Sequence, residues 1–365
     1  MHSVARIEAV EVRRLTLPLV APFHTSRGIE HERPLAVVRV VTSAEEGWGE
    51  CAALGEPTYT SEYADGAAHV LADRLAPRLT GTAVAAADVT RALAPVRGHP
   101  MAKAALEMAV LDAELRATGR SLAERLGATV DRVPSGIALG LDASLDDVAA
   151  AVDAGYRRVK LKIAPGHDLD VVAAVRARWP DLPLQVDANG AYTLDDVELL
   201  AALDRFGLLL IEQPLAEDDL DGHAQLARHV RTPICLDESI TSAAAAADAI
   251  ARGACSVVNI KPGRVGGYLE AVRVHDVCRA AGVPVWCGGM LESGLARAAN
   301  LALAALPGFT IPGDLSPSAR WYAEDLTEPI TLEHGCLRVP TGPGIGVRPR
   351  ADALARFGTS LVTVR

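Results

Sequence analysis

From about residue 133 onward, short apolar runs alternate with amphipathic stretches. The runs are GIALGLD, RRVKLKI, PLQVDAN, LLLIEQP, PICLDES, SVVNIKP, VPVWCGG and FTIPGDL. Between them lie segments such as SLDDVAAAVDAG, DLDVVAAVRARW and GYLEAVRVHDVCRAAG, whose apolar positions recur at helical spacing. Strands that alternate with helices predict a parallel sheet. Eight strands with seven intervening helices predict closure into a barrel. The runs are apolar almost throughout rather than at every second position, which fits strands buried on both faces.

The first part of the chain has a different pattern. VARIEAVEVRRLTLPL and RPLAVVRVVTS are long and partly alternating, and EEGWGECAAL follows after a turn at Gly47, so an antiparallel meander is predicted. PLVAPFHTSRGIEHER, with its Pro, Gly and charges, predicts a loop over about 18–32 that is long enough to act as a lid. GEPTYTSEY predicts a second loop, over about 55–62. Residues from about 62 to 127 are Ala-rich and helical, and AKAALEMAVLDAELRATG ends at Gly119. From about 321 the chain returns to loops and short strands (ITLEHGCLRV), expected to pair with the N-terminal meander. The fold class expected is α/β, a modified (β/α)7β TIM-type barrel with an α+β capping domain. The divisions expected are 1–127 for the cap, 128–320 for the barrel and 321–365 for a tail returning to the cap.

Composition narrows the function. With 36 basic and 46 acidic residues the formal charge is −10, and no basic block exists to displace phosphate counterions, which argues against a nucleic-acid partner. An anionic small molecule is still compatible, because a site can be locally positive. Aromatics are only 4% of the chain, so Ala, Val and Leu must fill the core. The six cysteines show neither a CxxC pair nor zinc spacing and are expected to be reduced and structural in a cytoplasmic protein. No signal-peptide layout and no run of about 20 apolar residues appears, so no membrane span is expected.

Candidate chemistry follows the strand pattern. Lys162, Asp187, Glu212, Asp237 and Lys261 succeed one another at intervals of 25, 25, 25 and 24 residues, each at or near the end of a run. In a parallel barrel the strand ends converge on one mouth. Three carboxylates from consecutive strands are hard oxygen ligands suited to Mg²⁺. The alternative for any one of them is an Asp that merely caps the next helix. Lys160 and Lys162 are two apart in one strand and so face the same way. Their mutual repulsion, with a dication nearby, is expected to lower a lysine pKa toward that of a useful base. Lys261 comes four strands later, across the mouth. A substrate between the two sides suits removal of a proton alpha to a carboxylate.

VKLKI, VDANGAY, IEQPL, LDESI and NIKPGRVGG resemble the enolase superfamily, in its muconate-lactonising-enzyme-like subgroup. WCGGMLESGLARAANLALAALPGFTIPGDLS is similar to the family of o-succinylbenzoate synthases and N-succinylamino acid racemases. The resemblance implies metal ligands at Asp187, Glu212 and Asp237 and an acid/base lysine at Lys162. It implies an opposing lysine at Lys261, with Lys160 as the first lysine of the KxK pair. It implies substrate contacts at Asn189, Arg264, Met290 and Glu292, with Glu238 a further recurrent acid. The two loops would close the mouth and select the substrate, with His24, Ser26 and Arg27 as candidates for a succinyl carboxylate. The activity implied is Mg²⁺-dependent (Mn²⁺ as substitute) dehydration of 2-succinyl-6-hydroxy-2,4-cyclohexadiene-1-carboxylate, a menaquinone-pathway step, together with N-succinylamino acid racemisation. Two alternatives keep the site and change the substrate: a dipeptide epimerase and a muconate-type cycloisomerase. An alternative of another class is a non-catalytic barrel that only binds. A homo-oligomer is also implied.

Overall fold

A computed structural model describes residues 5–25 and 28–365; Ser26 and Arg27 lie outside the described residues. In chain order the first strands are β1 (Ile7–Thr25), β2 (Gly28–Thr42), β3 (Glu46–Cys51), β4 (Arg132–Pro134), β5 (Gly136–Leu139), β6 (Arg158–Lys162) and β7 (Leu184–Asp187). They are followed by β8 (Ile211–Glu212), β9 (Ile234–Leu236), β10 (Val257–Ile260), β11 (Val285–Cys287), β12 (Leu332–Glu333), β13 (Cys336–Arg338) and β14 (Gly358–Val364).

β1, β2 and β3 form the expected antiparallel meander. The alternation of β1 is visible in its burial: Ile7, Val10, Val12, Leu15 and Leu17 are inside. On the same side of the sheet, β2 and β3 pack on the helix Pro100–Ala117, which lies so close to β3 that a Cβ on Gly49 would stand 2.0 Å from the Ala105 carbonyl oxygen. Residues 18–25 and 28–32 are not a loop. They extend β1 and β2 into a hairpin, with Phe23 opposite Glu30 and Thr25 opposite Gly28. The register breaks between Pro18 and Phe23, where Pro18 and Pro22 have no N–H to give the ladder. The tail does return to the meander, but through β14, which pairs with β1. ITLEHGCLRV supplies β12 and β13, which pair with each other, and β13 pairs with β4 at the entrance to the barrel instead of with the meander.

β5 to β11 form one parallel sheet in sequential order. Helices return over its outside, started by side chains that satisfy their first N–H groups: Ser144, Asp219, Ser242 and Ser293 each accept from a backbone N–H of the helix that follows. The eighth stave is irregular. FTIPGDL forms no regular strand, because Pro312 donates nothing and Gly313 passes so near Cys287 O that a Cβ would lie 2.4 Å away. Residues 309–314 nevertheless bridge the two sheet edges. Thr310 N donates to Val285 O (3.2 Å), Asp314 N to Cys287 O (3.2 Å), and Gly136 N to Gly313 O (2.7 Å). The six cysteines are free thiols, five of them buried. Among the described residues no helix is long and apolar enough to cross a membrane.

Cap and barrel are joined by buried carboxylates. Glu107, in the Pro100–Ala117 helix, accepts from Tyr268 N (2.6 Å) and Leu269 N (2.9 Å) at the start of a barrel helix. Glu50 of β3 accepts from Ser293 N (3.0 Å) and from the Ser293 hydroxyl. Burial pushes the Glu107 carboxyl up to about 7, against the pull of its two N–H donors. A folded-state pKa above the unfolded one means the native state holds its proton longer. Stability therefore falls as pH rises from about 4.5 to 7 and is flat beyond, by at most about 3 kcal/mol for this group. Glu107→Gln should lose that part of the pH dependence. Urea midpoints at pH 5 and 7.5 should then differ less in the variant than in the wild type; equal differences would refute the assignment.

Candidate active site

The sheet register sets the site. Lys162 pairs with Asp187 across β6 and β7, and Asp187 with Glu212 across β7 and β8, so the three stand in a row at one level. Asp237 follows β9 directly and Lys261 follows β10, at the same end of the sheet. All five side chains are buried or nearly so. Lys162, Asp187 and Glu212 are the last residues of their strands, and Asp237 and Lys261 come directly after theirs, so all five occupy the strand ends.

Lys162 Nζ donates to Asp187 Oδ2 (2.7 Å) and to Asn189 Oδ1 (2.5 Å). Asn189 has a left-handed φ of 47°, and its Nδ2 donates onward to Glu238 Oε1 (3.0 Å). On the far side Lys261 Nζ donates to Asp237 Oδ2 (2.8 Å) and to the Tyr59 hydroxyl (3.2 Å), with its ammonium 4.5 Å from the Tyr59 ring centroid. Gly288 must lack a side chain here, since a Cβ would meet Asn259 Oδ1 at 2.4 Å and Lys261 Cε at 2.6 Å. Lys160 Nζ lies 3.0 Å from both Asp187 Oδ2 and Glu212 Oε2. Glu212 also accepts from Asn259 Nδ2 (2.8 Å) and Gln185 Nε2 (3.3 Å).

The electrostatics differ from the expectation of depressed lysines. Burial favours a lower pKa for Lys160, but Asp314, Glu212 and Asp187 outweigh it and hold the ammonium well above the ordinary range. Lys261 is likewise raised: burial pulls it down, while Asp237 and then Tyr59 prevail, and the lowering by Arg264 is smaller. Asp187 is held well below the usual carboxylate range by Lys162 and Lys160 in spite of burial. Glu212 is pushed up to about 8 by burial first and by Asp187 next. The acids thus meet the lysines directly. Among the described residues no three His, Cys, Asp or Glu side chains stand together closely enough to hold a metal ion as placed. Each of the three acids is engaged by an ammonium or a guanidinium.

The donor set nevertheless fits a dication. The Lys160 ammonium already sits at one point within 3.0 Å of an oxygen from Asp187 and from Glu212. Beside Glu212 the buried oxygens Gln185 Oε1 and Asn259 Oδ1 have no hydrogen-bond partner. Three hard carboxylates with surplus oxygen acceptors beside them are the donor set that suits Mg²⁺ rather than softer metals.

A cavity of about 780 Å³, open mouth included, lies over these residues; Lys162, Asp187, Asn189, Lys261, Met290 and Asp314 are among its walls. The hairpin tip covers it through Phe23, whose ring stands edge-on to Trp321 at 5.0 Å between centroids. His24 lies beside Asp142, with Nδ1 3.8 Å from its carboxylate. Arg264 and Glu292 do not line the cavity. Arg264 is enclosed, bonded to the Asp237 carboxylate, to Tyr59 OH (2.9 Å), to Ile240 O (2.8 Å) and to Asn259 O (2.7 Å). Glu292 accepts from Asn300 Nδ2 (3.0 Å). Two participants escape a reading of the sequence. Tyr59 is a buried aromatic in an otherwise polar loop, which was the available signal. Asp314 sits in the eighth run, at the stave end where the ladder would place another charged group.

Comparison with known proteins agrees with this architecture. The model of the enolase C-terminal domain-like family matches residues 143–353, and that of the mandelate racemase / muconate lactonizing enzyme N-terminal domain matches residues 7–127. An N-succinylamino acid racemase from Amycolatopsis is 59% identical, covering 98% of this chain and 99% of its own. An o-succinylbenzoate synthase from Bacillus subtilis is 44% identical, covering 97% of each. A crystal structure of an enolase-superfamily member from Listeria innocua superposes with a TM-score of 0.95 at 38% identity over 99% of both chains. The chain is an enzyme that belongs to the enolase superfamily, to its mandelate racemase / muconate lactonizing enzyme family, and there to the group of o-succinylbenzoate synthases and N-succinylamino acid racemases.

Proposed function

We propose that the chain removes a proton alpha to a substrate carboxylate. In our reading it uses this step both to dehydrate 2-succinyl-6-hydroxy-2,4-cyclohexadiene-1-carboxylate to o-succinylbenzoate and to racemise N-succinylamino acids. The observation that carries the reading is the pair of buried lysines, Lys162 on β6 and Lys261 after β10, on the walls of one cavity four strands apart. High identity over full length to a racemase and to a synthase supports assigning both reactions to one site.

Asp187, Glu212 and Asp237 would hold Mg²⁺, which when bound supplies a Lewis acid for the negative charge that develops on the substrate carboxylate. Lys162, oriented by Asn189, takes the alpha proton. In the dehydration it returns that proton to the departing hydroxyl, so that water leaves and the ring becomes aromatic. Lys261, aimed by Asp237 and Tyr59, faces the substrate from the other side and contributes fixed positive charge. In racemisation the two lysines exchange the roles of acid and base, one for each enantiomer. Phe23 and Trp321 at the mouth keep bulk water away from the carbanionic centre.

The test is an assay of the purified chain against both substrates, before and after EDTA. Both activities should vanish on chelation and return with Mg²⁺. Dipeptides and muconate should react at least about 100-fold more slowly in kcat/KM, the discrimination expected when buried polar groups are left unpaired. Activity that survives exhaustive chelation, or a preference for dipeptides, would reject the proposal.

A further inference from the structure

We propose that Asp314 is a positioning residue for metal binding: it draws Lys160 away from Asp187 and Glu212, so that these two carboxylates can accept a divalent cation. The inference rests on the metal reading above. Lys160 Nζ has three carboxylates around it. Asp187 Oδ2 and Glu212 Oε2 are each 3.0 Å away, and Asp314 Oδ2 is nearer, at 2.5 Å. An ammonium and a dication compete for the same oxygens and repel each other. The affinity for the dication therefore depends on where the ammonium rests.

The structure supplies a receptor on the side away from the ladder. Asp314 lies on the irregular stave between β11 and β5, whereas Asp187 and Glu212 lie on β7 and β8. It is held firmly, through its backbone N–H to Cys287 O (3.2 Å) and through Oδ1, which accepts from Arg158 Nη1 (2.8 Å). Arg158 is fully buried and is itself fixed on Pro312 O through Nε (3.0 Å) and Nη2 (2.6 Å). The Trp286 ring carries both cations, with Arg158 Cζ and Lys160 Nζ each 5.0 Å from its centroid. Carboxylate and indole together form a seat for the Lys160 ammonium. With a neutral side chain at 314, the ammonium would have only Asp187 and Glu212 for counter-charge and would bind them in place of the metal.

Calorimetric titration of the substrate-free full chain with MgCl₂ tests this in the wild type, Asp314→Asn, Lys160→Met and the double variant, with near-UV circular dichroism as a check on folding. D314N should bind Mg²⁺ at least about tenfold more weakly. K160M should bind more tightly than the wild type, because the competing cation is gone. In the K160M background D314N should cost less than about twofold. Wild-type affinity in folded D314N overturns the inference. So does an undiminished D314N effect in the K160M background, which would make Asp314 a remote charge and nothing more. Should D314N fail to fold, the comparison of K160M with the wild type decides, and equal or weaker binding in K160M refutes it. No binding by the wild type would instead reject the metal reading, and this inference with it.

Discussion

Lys162→Ala should abolish dehydration and racemisation together, by about 1000-fold or more, the loss expected when the group that carries the proton is removed. The fold should survive. Lys162 bonds Asp187 and Asn189, and Asp187 keeps Lys160 at 3.0 Å, so no buried carboxylate is left without a cation. A melting temperature close to the wild-type value should accompany the loss. Isotope exchange gives the sharper result. In D₂O the K162A variant should still exchange the alpha hydrogen of one N-succinylamino acid enantiomer, through Lys261, without inverting it. Lys261→Ala should exchange only the opposite enantiomer. Racemisation by K162A at near wild-type rate would contradict the two-lysine arrangement. So would exchange of the same enantiomer by both variants, because it would place both bases on one side of the substrate.

The barrel was legible because each βα unit repeats the same burial problem. A strand covered on both faces must be apolar along its length, so RRVKLKI or PICLDES stands out from the helices around it. The level of the charged residues was legible for a related reason: a parallel register carries equal spacing in sequence into neighbouring positions in space, as Lys162, Asp187 and Glu212 show. The eighth stave was harder. Its position followed from the repeat, but Pro312 and Gly313 replace ladder bonds with single bridges, and periodicity does not report that. The hairpin of 18–25 with 28–32 was misread because Pro and Gly signal a loop locally, while pairing between distant strands decides the outcome. The charges of the site were only half legible. The spacing brings acids and lysines together, but the sign of the lysine shifts depends on the count of neighbours. For Lys160, burial and the repulsion of Arg158 are outweighed by Asp314, Glu212 and Asp187 around one ammonium. Tyr59 enters from the cap, and no spacing within the barrel could reveal it.

Asp237→Asn should have the largest effect on stability. Asp237 is fully buried and receives Lys261 Nζ at 2.8 Å, the Arg264 guanidinium, and Tyr59 OH at 3.3 Å to each oxygen. Its carboxyl is held below the usual range by Arg264 and Lys261 against the opposing effect of burial. Asparagine keeps the shape and removes the charge, so a lysine and an arginine are left in the interior with one negative partner fewer. Breaking such a buried pair from one side costs about 3–5 kcal/mol. The hydrogen bond from Tyr59 is a smaller matter, and Tyr59→Phe should cost about 1 kcal/mol. Removing one stranded cation as well should relieve the strain: Asp237→Asn combined with Lys261→Met should be more stable than Asp237→Asn alone, though Lys261→Met is itself destabilising. Urea denaturation in the presence of chelator separates this cost from any loss of metal binding. A wild-type midpoint for D237N, or a double variant weaker than the sum of its parts, would mean that Arg264 and Lys261 find their counter-charge elsewhere.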